Sequence, residues 1–194
     1  MSNPTLGEWL KRETRADHRR VDQHPALKPL LKRDLTLPEY ATALSTLYAP
    51  IASLEEVLSS GLKANGAHYP LTHRAALLKA DIYQLGRQVR SPHGASPPES
   101  MASLVGMLYV LEGSRLGGTM IARQVKSVMG NQMPLRFFSA HPLHDAQWAD
   151  FWRFAERHCP PATWPAVLAG AQQAFMLFMQ DLEMDERQGP TPKE

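Results

Sequence analysis

The chain has 194 residues and a mass of 21.7 kDa, with 43% hydrophobic residues and 21 Lys/Arg against 19 Asp/Glu. That length and apolar content suit one folded domain and exclude a disordered chain, and a net charge of +2 is too weak to argue for nucleic acid as a partner. The single cysteine, Cys159, excludes an internal disulfide framework and a CxxC zinc site. No basic region leads into an apolar stretch at the N-terminus, and no run of about 18 apolar residues occurs, so neither a secretory signal nor a membrane span is expected and the chain reads as cytoplasmic.

All long periodic segments repeat at helical spacing. A first helix is predicted from about Leu6 to Val21, with Leu6, Leu10, Thr14, His18 and Val21 on one face, and a break at His24-Pro25. The run Thr36-Leu-Pro-Glu39 is a capping box that opens a second helix. Its apolar face is Tyr40, Leu44, Leu47, Ile51, Leu54 and Leu58, and Pro50 should kink it. A third helix opens at Thr72 and closes near Gly86, and a Ser/Pro/Gly loop follows from Ser91 to Ser100. The apolar segment Met101–Met129 is a fourth helix stopped by Gly130. Residues 131–142 read as an irregular connection, and two further helices cover about Asp145–His158 and Trp164–Glu186. The expectation is a single all-α helical domain over 1–186 with a disordered tail at 187–194. Residues 1–33 carry a charge of +4 and residues 181–194 a charge of −3.

Several chemistries are missing. No HExxH, GxSxG, P-loop or GxGxxG motif is present, and no ExxH supports a carboxylate-bridged di-iron bundle. Cys159-Pro-Pro reads as an inert half-buried thiol, and His141-Pro-Leu-His144 as a chance pair in a loop.

Two features stand out. The helix containing Gly106 to Arg123 holds Gly106, Gly113, Gly117 and Gly118, each costing about 1 kcal/mol relative to alanine. Gly113 and Gly117 share a face, so another body can approach the backbone there: either a neighbouring helix or a flat ligand. On the first helix, Lys11, Arg15 and His18 form an i, i+4, i+7 line with Asp22 one turn beyond. Such a set suits a metal-bound planar ligand with anionic arms, the imidazole on the metal and the cations on carboxylates. It also suits a satisfied histidine beside solvent-facing bases.

The block Leu10-Lys-Arg-Glu-Thr14-Arg-Ala-Asp-His18-Arg-Arg-Val-Asp22 resembles the proximal helix of haem (heme) oxygenases. Tyr109-Val-Leu-Glu-Gly113-Ser-Arg-Leu-Gly117-Gly118 resembles their distal helix. Tyr40 to Glu56, Phe137-Phe138 with Trp148 and Phe151, and Ala174-Phe175 are similar to other parts of the family, so the likeness spans about Leu6 to Glu186. It points to bacterial biliverdin-making members that serve bacteriophytochromes. It implies a helical bundle with haem held between the proximal helix and a kinked distal helix, His18 as the iron ligand, and Lys11 and Arg15 on the propionates. It also implies Gly113, Ser114 and Gly117 beside the oxygen-binding face, with Gly118 and Phe175 lining the haem. Arg153 is a weaker propionate candidate. Some members carry an aspartate where this chain has Ser114, which leaves proton delivery to waters or to an arginine such as Arg115 or Arg123. The implied reaction converts haem to biliverdin, CO and ferrous iron with O2 and electrons from an external ferredoxin-like or reductase donor. A non-catalytic haem carrier or sensor of the same fold is the alternative, and a thiaminase-like hydrolase a more distant one. The sequence leaves open the meso carbon that is opened, the identity of the donor, the oligomeric state and the fate of the pigment.

Overall fold

The computed structural model describes residues 4–92 and 94–188, with side chains through Met184. Among the described residues the regular elements are eight α-helices and two short 3-10 turns. The helices are α1 (Leu6–Glu13), α2 (Arg15–Asp22), α3 (Leu37–Ala64), α4 (Ala75–Gln84), α5 (Met101–Met129), α6 (Arg136–Ser139), α7 (Asp145–His158) and α8 (Trp164–Gln188). No described helix is long and apolar enough to cross a membrane.

Local sequence sets most helix starts. Thr5 and Glu8 form a capping box on α1, and Thr36 and Glu39 form one on α3. Gly130, at φ +87°, ends α5 in a conformation that costs a glycine little. The first predicted helix is divided at Thr14, whose hydroxyl donates to the Leu10 carbonyl at 2.8 Å. Such a bond back to the preceding turn bends a helix, so Lys11 belongs to α1 while Arg15 and His18 belong to α2. The third helix starts at Ala75, later than Thr72, because its cap comes from elsewhere in the chain. The Glu55 carboxylate on α3 accepts from the Arg74 and Ala75 amides at 2.6 and 3.0 Å. Within the stretch expected to be irregular, α6 forms where the buried Asp81 carboxylate accepts from the Phe137 amide at 2.9 Å. The last helix continues to Gln188, past the expected boundary at Arg187; the rest of the predicted tail, 189–194, lies outside the described residues.

The centre of the fold is the crossing of α5 and α8, the largest helix–helix contact. Two glycines make it possible. A Cβ on Gly106 would run into the Val167 carbonyl and the Ala171 amide, and a Cβ on Gly170 would run into the Ser103 carbonyl. Helix α3 packs on α4, α5 and α8, while α1 and α2 lie against α8. The buried core combines Leu6, Leu10, Leu44, Leu54, Leu104, Met107, Phe151 and Val167 from five of these helices.

Candidate active site

Helix α5 changes character along its length. From Ala102 to Glu112 every residue but Tyr109 is buried. From Gly113 onward one apolar face is uncovered: Leu116 is 50% and Met120 61% exposed. Gly117 lies between them, and a Cβ there would meet nothing within 4 Å, while one at Gly113 would meet only the Trp148 ring edge, at 3.8 Å. The glycines of α5 therefore divide between the two roles that the sequence left open. Gly106 serves helix packing, and Gly113 and Gly117 leave bare backbone beside open space. Gly118, expected to line the same ligand, turns the other way: its Cβ position is 3.1 Å from the Phe138 carbonyl, so its lack of a side chain admits α6.

His18 is related to this segment through Thr14, at the junction of α1 and α2. The Tyr109 hydroxyl lies near the Thr14 side chain. His18 lies one turn beyond Thr14 and Gly113 one turn beyond Tyr109, each about 6 Å along its helix from that contact. The His18 ring is not packed inward as the face pattern suggested; its side chain is 61% exposed. It stands edge-on to Phe175 of α8, with ring centroids 6.0 Å apart. Its Nδ1 lies 2.8 Å from the Asp22 carboxylate, and this hydrogen bond raises the imidazole pKa above its ordinary value despite partial burial. A neutral ring that donates from Nδ1 carries its lone pair on Nε2, the atom that can hold a metal. Asp22 thus fixes both tautomer and ring direction. Lys11 and Arg15 are exposed cations on α1 and α2.

Ser114 has a partner that the sequence did not suggest. Its hydroxyl donates to the Leu111 carbonyl at 2.6 Å and accepts from Arg74 Nη2 at 2.7 Å. Arg74 is 3% exposed, also donates to the Leu111 carbonyl at 3.0 Å, and lies over the Phe137 ring. Burial pulls its guanidinium down to about 10, so it stays charged at neutral pH. Nothing local marks Arg74 as special, since it lies in the loop before α4, 40 residues from Ser114. The arginines considered from sequence are placed differently. Arg115 is buried against Glu112, Arg123 is exposed on α5, and Arg153 pairs with Asp150 on the exposed face of α7.

The other candidates have structural roles. His144 is the N-cap of α7, and no group of three metal-ligating side chains occurs among the described residues. Cys159 is buried at the end of α7, and burial pushes its thiol up to about 11, which leaves it un-ionised and a poor nucleophile.

An imidazole oriented by a carboxylate on one helix, and a stretch of another helix stripped of side chains and rimmed with exposed apolar residues, are features of an all-α protein suited to a flat, metal-centred ligand. The donor set fits haem: one carboxylate-oriented imidazole for the iron, an apolar rim for the ring and exposed cations on α1 and α2 for its propionates. The comparisons agree. Residues 4–184 match the Heme oxygenase family model. The chain is 35% identical over 153 residues to a protein named heme oxygenase from Xanthomonas campestris pv. campestris (strain 8004), covering 76% of this chain and 91% of that one. In fold it is similar to the heme oxygenase of Neisseria meningitidis, solved with NO and CO bound, at a TM-score of 0.75 and 20% identity over 94% of this chain and 92% of that one. It is also similar to heme oxygenase-1 of Synechocystis sp. PCC6803, solved in complex with heme, at 0.70 and 18% over 95% and 94%. The chain belongs to the heme oxygenase family.

Proposed function

We propose that the uncovered face of α5 beside His18 is the site at which this protein opens haem oxidatively to biliverdin, releasing CO and ferrous iron. The observation that carries the reading is the pairing of a carboxylate-oriented imidazole with an uncovered, side-chain-free helix face in a chain of this family. Bound through its iron, haem supplies both the substrate and the centre at which O2 is activated. His18 would hold the iron through Nε2, with Asp22 keeping the ring in the tautomer that can do so. Gly113 and Gly117 would present bare backbone to the haem, leaving less room beside it than a helix carrying side chains there would take up. Phe175 borders the proximal side, and Lys11 and Arg15 pair with the propionates.

The Ser114 hydroxyl, held by Arg74, is the polar group of the distal helix. Its one proton goes to the Leu111 carbonyl and one lone pair to Arg74, so the remaining lone pair accepts from a water and orders it next to Gly113. The Arg74-held hydroxyl supports the catalytic reading over a non-catalytic carrier of the same fold.

Electrons enter from outside. The exposed bases Lys11, Arg12, Arg15, Arg19 and Arg20 cluster on α1 and α2 around His18 and suit an acidic, ferredoxin-like donor or a reductase. Reduced donors of that kind place the activity in the cytoplasm, and a bacteriophytochrome is a fitting acceptor for the pigment. Reversing two of these charges should flatten the ionic-strength dependence of turnover, and an unchanged dependence would remove this docking face. The primary test is absorption titration with ferric haem, then ascorbate under air. A Soret band saturating at one haem per chain and decaying to biliverdin is expected; no Soret shift would overturn the reading.

A further inference from the structure

Arg115 lies in the distal segment, between Ser114 and Leu116, yet it is only 5% exposed and turns away from the uncovered face. All three of its guanidinium nitrogens have acceptors. Nη1 pairs with the buried Glu112 carboxylate on the same helix. Nε donates to the His141 carbonyl at 3.0 Å, and Nη2 to the Pro142 carbonyl at 3.3 Å and to Gln147 Oε1 at 3.4 Å. Gln147 in turn accepts from the His144 amide at 3.2 Å and so closes the cap of α7. One side chain thereby joins the middle of α5 to the α6–α7 connection and to the start of α7.

We propose that Arg115, with Glu112, is a positioning residue that sets the height and tilt of the Gly113–Gly118 segment over the bound substrate. Three points support this. The segment carries three glycines, so its own helix propensity is poor and it needs outside support. The opposite face, at Gly117, meets nothing that could hold it. Besides Arg74 on Ser114, the supports behind it are Arg115 and, one turn on, Gly118 against the Phe138 carbonyl. A guanidinium is suited to the task, because its planar fork bonds several fixed acceptors in one geometry, which an ammonium cannot do. A buried ion pair of this kind is a poor source of stability but a good means of selecting one arrangement among several.

The inference rests on the haem reading for its meaning but has a test independent of it. Arg115→Met leaves the Glu112 carboxylate buried and unpaired, so the double variant E112Q/R115M is measured beside it to remove that charge. In the ligand-free protein, amide exchange at residues 113–118 should accelerate at least tenfold, while residues 102–111 keep their protection. In the haem-loaded ferrous CO complex, the single Fe–CO stretching band should broaden or split. The biliverdin isomer ratio should become more mixed at an unchanged haem stoichiometry. Arg115→Lys should behave like the methionine variant, because the loss is of fork geometry and not of charge. Wild-type exchange at 113–118 together with an unchanged CO band in the double variant would overturn the proposal, even if the melting temperature fell. A wild-type chain that fails to bind haem would sink the functional reading instead, and the exchange experiment would still decide the clamp.

Discussion

Two glycines on one helix predict opposite outcomes for the same substitution. Gly106→Ala places a methyl group into the backbone of α8, where nothing can move aside, so it should cost several kcal/mol and leave little folded protein. Gly117→Ala meets open space and gains helix propensity, so it should raise stability by about 1 kcal/mol while impairing haem turnover. Urea unfolding of the two variants, with biliverdin formation followed for the second, checks both directions. At the proximal side, His18→Ala should abolish the Soret complex. Asp22→Asn should weaken haem binding roughly 10- to 100-fold, the usual cost of losing a carboxylate behind a metal-bound imidazole. An Asp22→Asn titration that superimposes on wild type would show that the ring needs no such partner.

Elements here are stabilised by partners distant in sequence. Helix α4 has no local cap, and Glu55, on α3, accepts from the first amides instead. Glu55→Ala removes a buried, charged acceptor and should cost about 2 kcal/mol, read as a lower urea midpoint with an unchanged slope. The effect should extend to the site, because Arg74, whose amide that carboxylate fixes, also holds Ser114. Burial of acidic groups also makes stability depend on alkaline pH. Burial raises the Cys159 thiol at the end of α7 to about 11 from 9.0, and Tyr40 and Tyr69 are shifted upward as well. A group whose folded pKa is raised stabilises fully below its unfolded pKa and loses that contribution as pH rises. The thiol's share therefore disappears between about 9 and 11. Cys159→Ala should lose less stability than wild type between those two pH values in parallel denaturant titrations.

At the scale of the molecule, stability and function are linked through the uncovered face of α5. A chain that leaves Leu116 and Met120 half or more exposed gains by covering them. Haem at 100 times its Kd should add about 2.7 kcal/mol, and so raise the melting temperature by roughly 5–10 °C in a chain of this size. His18→Ala should melt near the wild-type apo temperature with or without haem. A wild-type chain whose melting temperature ignores haem would indicate binding too weak for a substrate.

The sequence by itself determined the helical class, the capped starts of α1 and α3 and the stop at Gly130. It also marked His18, Asp22 and the distal glycines as candidates, because periodicity, capping and four-residue spacing are properties of a single helix. It could not separate the glycines of α5 into those that admit another helix and those that face open space, because that depends on which backbone crosses each one. It did not identify Arg74 behind Ser114, or Glu55 beneath α4, because those partners are brought together only when α3, α4 and α5 pack. It also missed that Arg115 points away from the distal face, since a position on a helix defines an angle but not the acceptors waiting there. Chemistry confined to one turn can be read along the chain. Chemistry assembled from several helices depends on buried hydrogen bonds between distant residues, and only the tertiary structure decides which pairs form.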